Sequence, residues 1–105
     1  MQVADRHVLE EFARRVRALF AEARVWAFGS RARGDATWES DLDVCIVLDR
    51  VDRSRDATIR EIAWEVGFER GLVLTTVVLD QEQFERGPMS ESTLVATILR
   101  EGVAA

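Results

Sequence analysis

Residues 42–48, LDVCIVL, form an almost continuous apolar run. A strand that is apolar at successive positions has to be covered on both faces, so this segment is expected at the centre of a sheet with helices on either side. The flanking segments supply that cover. Val8, Leu9, Phe12, Val16, Leu19 and Phe20 recur at helical spacing and predict a helix over about residues 5–23. Residues 24–28 read as a short β-branched and aromatic strand that stops at Gly29. Residues 30–40 are polar, with one helical turn ended by Gly34, and residues 49–55 form a charged loop. Ile59, Ile62, Ala63 and Val66 predict a second helix, opening near Ser54 or Asp56 and closing at Gly71, before a third strand, LVLTTVVL, at residues 72–79. A short helical turn at QEQFERG is broken by Pro88, and Leu94, Val95, Ile98 and Leu99 mark a last helix with Gly102 at its end. A strand, a helix and another strand in that order predict a right-handed crossover between parallel neighbours. The expected fold is α/β of the α+β kind, a small mixed sheet flanked by helices, with residues 1–105 as one domain.

Composition narrows the function. A net charge of −5 argues against a surface built to cover polynucleotide phosphates, so no direct nucleic-acid binding is expected. No apolar run approaches the roughly 20 residues of a membrane span, and the first residues carry no secretion signal, so a cytoplasmic protein without a membrane partner is expected. Cys45, the one cysteine, lies inside the apolar run and reads as core. His7, the one histidine, reads as a surface or boundary residue. Trp26 and Trp64 are expected in the core, while Trp38 falls in a polar loop, where it could stack on a base, cover a partner or fold back on the sheet.

The chemistry concentrates in residues 29–44, GSRARGDATWESDLDV. A strand that stops at Gly29 and starts a helical turn leaves backbone N–H groups unpaired, and these suit phosphate oxygens that a glycine lets approach closely. Ser30 adds a hydroxyl, and Arg31 and Arg33 on the same turn could neutralise distal phosphates. Asp41 and Asp43, two apart at the head of a strand, project to one face and could hold Mg2+, which prefers carboxylate, water and phosphate oxygens. A loop of about a dozen residues returns the chain from the turn to the carboxylates. Each half alone is a weak signal, and together they place phosphate donors and metal ligands side by side.

The run Gly29, Ser30, Gly34, Ser40, Asp41, Asp43 resembles the signature of the nucleotidyltransferase superfamily that includes DNA polymerase beta and kanamycin nucleotidyltransferase. In size the chain is similar to the minimal nucleotidyltransferases, usually encoded beside a HEPN-domain partner. The resemblance implies the polymerase beta-like fold and nucleotide binding by Gly29, Ser30, Arg31, Arg33 and Ser40. It also implies Asp41 and Asp43 as catalytic Mg2+ ligands and a nucleoside triphosphate, ATP in the first instance, as substrate. It further implies a HEPN-type toxin as partner, with this chain as antitoxin; pairing with a second copy is the other expectation. The family places a third carboxylate on a later strand, where residues 72–79 have Thr75 and Thr76 and no acid. Asp80, Glu65 or Glu69 would be the substitutes, with Asp80 more naturally a cap and the glutamates solvent-facing. The departure keeps nucleotide binding and puts catalysis in question, so a binding module that neutralises its partner by contact is the alternative to an enzyme.

Overall fold

The computed structural model describes residues 1–86 and 93–105. The predicted break at Pro88 lies outside the described residues. Four strands form one sheet in the order β3-β2-β1-β4. β1 (Arg24–Phe28) and β2 (Leu42–Leu48) pair antiparallel, β2 and β3 (Leu74–Asp80) pair parallel, and β1 pairs antiparallel with β4 (Val103–Ala104). The sheet is therefore mixed, as the pattern predicts, and β2 is buried over nearly its whole length.

Alternation along β2 divides the core. Leu42, Val44, Ile46 and Leu48 face α1 (Val3–Leu19) and α3 (Arg53–Arg70), whose Leu9, Phe12, Val16, Ile59, Ala63 and Val66 cover them. Cys45 and Val47 point the other way, into a smaller cluster with Leu79, Phe84 of α4 (Gln81–Glu85) and Val95 and Ile98 of α5 (Thr93–Glu101). Burial pushes the Cys45 thiol up to about 12, so it stays protonated and packs as a small apolar side chain. Trp26 stacks on Phe84 at a centroid distance of 5.2 Å and borders this second cluster.

Several boundaries move, each for a local reason. α1 ends at Leu19, earlier than its apolar spacing suggests, because Phe20 already leaves helical backbone geometry. α3 opens at Arg53 because Asp52, within the expected charged loop, is the cap, its carboxylate accepting the Arg55 N–H at 2.7 Å. It closes at Gly71 in the left-handed conformation, as expected. β3 begins two residues later than predicted and includes Asp80, which also caps α4 in a reciprocal pairing with Gln83. β4 has only two residues and no periodicity from which to predict it. Trp64 is a correction: it is 67% exposed. The buried stripe of α3 runs through Ile59, Ile62, Ala63 and Val66, and Trp64 falls off its flank, where it stacks on Phe68 four residues on. His7 is exposed, in line with its surface reading.

The cap at Asp52 yields a simple stability prediction. Asp52→Ala should cost about 1 kcal/mol, the usual loss for such a cap, and lower the melting temperature by about 4–8 °C for a domain of this size, as followed by circular dichroism.

Candidate nucleotide and metal site

The end of β1 and the start of β2 are adjacent because the two strands pair antiparallel with Phe28 opposite Asp43. The chain leaves β1 through Gly29 at φ +77, a left-handed conformation that side chains with a Cβ rarely adopt, and enters α2 (Gly29–Arg33). Gly34, also left-handed, ends α2, its N–H donating to the Ser30 carbonyl at 3.0 Å. No side chain caps the N-terminus of α2, and the Ser30 hydroxyl has no protein partner among the described residues.

Gly29 and Asp43 touch. A Cβ built on Gly29 would collide with Asp43 Oδ2, so the carboxylate occupies the space that a side chain at residue 29 would fill. The turn and the inner carboxylate thus share one spot, as the motif predicts. Asp41 lies one pleat further out and is exposed, while Asp43 is half-buried. Burial raises the Asp43 pKa above the usual carboxylate value, the charge of Asp41 raises it further, and Arg33 opposes both.

β3 completes the wall. Thr75 lies directly opposite Asp43 in the parallel register, and its hydroxyl donates to Asp41 Oδ2 at 3.1 Å. Among the described residues no acid takes that place. Asp80 pairs with Leu48 at the far end of β3, about 16 Å away at the usual rise per strand residue, and is occupied as a cap. Glu69 forms an ion pair with Arg15 of α1 at 2.6 Å, and Glu65 is exposed on α3, which packs against the opposite sheet face. Among the described residues no group of three or more His, Cys, Asp and Glu side chains could hold a metal ion. The donor set is thus a pair of hard carboxylates at an open edge, which fits Mg2+ shared with phosphates and water and does not fit an ion held by protein alone.

The arginines differ in their engagements. Arg33 is exposed and pairs with Asp35 at 3.2 Å and Glu101 at 3.7 Å. Arg31 turns away from Asp43: it pairs with Asp5 of α1 at 3.0 Å and donates from Nε to the Ser40 carbonyl at 2.8 Å. Ser40 is absorbed in its loop, its hydroxyl accepting the Thr37 N–H at 3.0 Å. Trp38 is 87% exposed and is not folded back on the sheet. With Trp64, Phe68 and Val73 it borders a groove of about 770 Å³ between α3 and the N-terminal end of β3, with Asp41 at its lip. Asp5 and Phe68 escape sequence reasoning. Asp5 meets Arg31 across 26 residues with no local signal, whereas Phe68 could have been found as the fourth residue after Trp64 on a helix.

Two outcomes follow from the Gly29–Asp43 contact. Gly29→Ala should lose about 1–3 kcal/mol from the left-handed backbone and displace the Asp43 carboxylate, read as a lower melting temperature together with loss of Mn2+ binding by electron paramagnetic resonance. Asp43→Asn should lose the same metal binding and yet melt higher than the wild type at neutral pH. Because the folded-state pKa of Asp43 is raised, its charge opposes folding above that pKa, and the advantage of the variant should vanish as pH falls below the ordinary aspartate range.

A fold of this shape occurs in a solved structure described as a presumptive nucleotidyltransferase from Sulfolobus solfataricus, with a TM-score of 0.53 and 21% identity over 96% of this chain and 81% of that one. Among curated proteins nothing matches the chain. The family model for the nucleotidyltransferase domain matches residues 9–104, which takes in the Gly-Ser turn, both carboxylates and all four strands. The chain belongs to the nucleotidyltransferase domain family.

Proposed function

We propose that this protein binds a nucleoside triphosphate, ATP in the first instance, together with Mg2+ and transfers the nucleotidyl group to a hydroxyl of a protein partner. The observation that carries the reading is the contact of Asp43 with Gly29, which joins the carboxylate pair to the phosphate turn without any intervening side chain. In this reading Gly29 and Ser30 receive the triphosphate, the free Ser30 hydroxyl donating to it. Arg33 exchanges its exposed pairings with Asp35 and Glu101 for phosphate oxygens. Asp41 and Asp43 would hold the Mg2+, which would neutralise phosphate charge and stabilise the negative charge that develops in an in-line displacement. The acceptor oxygen forms its bond to the α-phosphorus as the bond to the pyrophosphate breaks, and the acceptor proton passes to solvent or to a base brought by the partner.

The resemblance to minimal nucleotidyltransferases makes a HEPN-domain toxin the partner and this chain its antitoxin, in the cytoplasm where Mg2+ and ATP are available. A second reading draws on Thr75. A threonine beside Asp43 supplies neither a strong metal ligand nor a base near neutral pH, which favours a module that binds nucleotide and neutralises its partner by contact alone.

The two readings separate in one experiment, incubation of the protein with ATP labelled at the α-phosphate, Mg2+ and a HEPN-domain protein as the proposed partner. Enzymatic transfer should place label on the partner, and an Asp41→Ala, Asp43→Ala double variant should abolish both the label and neutralisation of the toxin. An unlabelled partner, neutralised equally well by the double variant, would reject transfer in favour of the binding module.

A further inference from the structure

We infer that Arg31 is a positioning residue, whose guanidinium ties the loop that leads into Asp41 to the turn that carries Ser30. The inference rests on the metal and nucleotide reading above and assigns Arg31 a task other than phosphate contact. Every nitrogen of its guanidinium is engaged by the protein. Nη1 donates to both oxygens of Asp5, at 3.0 and 3.2 Å. Nε donates to the Ser40 carbonyl at 2.8 Å, and Nη2 reaches the Thr37 and Trp38 carbonyls, each at 3.4 Å. The pair is sheltered, with 13% of the Arg31 side chain and 10% of the Asp5 side chain exposed.

A guanidinium that swung out to a phosphate would strand the Asp5 carboxylate without its counter-charge and leave the Ser40 carbonyl without its donor, and both losses are costly away from water. Arg31 therefore stays. From there it acts on the site through the backbone, because the peptide whose carbonyl it holds is the one that joins Ser40 to Asp41. Its own Cα lies one residue beyond Ser30 on α2. One planar fork thus sets the separation between the phosphate turn and the outer metal ligand, while Asp5, on α1, anchors the fork to the core. A lysine could keep the charge but could not hold Asp5 and three carbonyls at once.

The test uses Mn2+ with ATP, followed by electron paramagnetic resonance, on the wild type, Arg31→Lys and Asp5→Asn, with amide hydrogen exchange on the same three proteins. Both variants should weaken Mn2+–ATP binding by about tenfold or more, the usual loss when a support of a metal ligand is removed. Both should also speed exchange at residues 37–43 while the amides of α5 keep their wild-type rates. Wild-type binding by Asp5→Asn alongside impaired Arg31→Lys would give Arg31 to the phosphates and overturn the inference. Unchanged exchange at residues 37–43 in both variants, or an equal loss of protection across the whole sheet, would overturn it as well. If the wild-type protein binds no Mn2+–ATP, the proposed function fails on its own account, and the exchange pattern alone decides whether Arg31 tethers the loop.

Discussion

The missing side chain at Gly29 is the constraint on which the site depends. β1 and β2 run antiparallel with Phe28 opposite Asp43, so the residue after Phe28 must turn away over the top of that aspartate. Only a residue without a Cβ can do so at φ +77 while Asp43 keeps its place. A close approach of backbone to carboxylate then becomes possible, and with it the meeting of turn and carboxylate on which the proposed nucleotide and metal binding rests. The rest of the sheet serves to hold the two strands in that register: β3 pairs on one side of them, β4 on the other.

β2 carries the site because its environment changes along its length. Cys45, Ile46, Val47 and Leu48 are buried against helices on alternate faces, Asp43 is half-buried, and Asp41 is exposed. The same pleat that sends Cys45 and Val47 into the smaller cluster sends Asp43 to that side beyond the edge of the apolar cover, with Asp41 outermost. Rigidity comes from the buried part, and the part that emerges presents the carboxylates to solvent. The cost is electrostatic: desolvation and mutual repulsion both act against the ionised form of Asp43, and the nearby Arg33 offsets them only in part. Functional sites commonly carry such local destabilisation, and here the apolar run that follows compensates it.

Legibility in the sequence follows the range of the interactions. β1 and β2, the turn at Gly34, the closure of α3 at Gly71 and the capping role of Asp80 rest on neighbouring residues, and each could be read from the chain. β4 could not, because two residues have no period and their pairing is decided by Trp26 and Ala27 far upstream. The exposure of Trp64 was hidden for another reason. Hydrophobicity predicts burial, but a helix lying on a sheet buries only one stripe, and Trp64 and Phe68 lie outside it. In the site, the positions of Gly29, Ser30, Asp41 and Asp43 follow from local order, whereas the engagement of Arg31 by Asp5 is a tertiary event.

The identity of residue 75 has a consequence that the carboxylate pair alone does not reveal. Its place in the parallel register, directly opposite Asp43, is one from which a side chain can join Asp41 and Asp43 on their own face. An acid there would add a third negative charge to two that already repel. The threonine instead donates a hydrogen bond to Asp41, which holds that carboxylate in place without adding charge. In the proposed function, that pair would receive a divalent cation that arrives with its own phosphate ligands. Under the proposed function, such a site would depend on the bound nucleotide to complete the metal's coordination shell, and any further base would come with the acceptor.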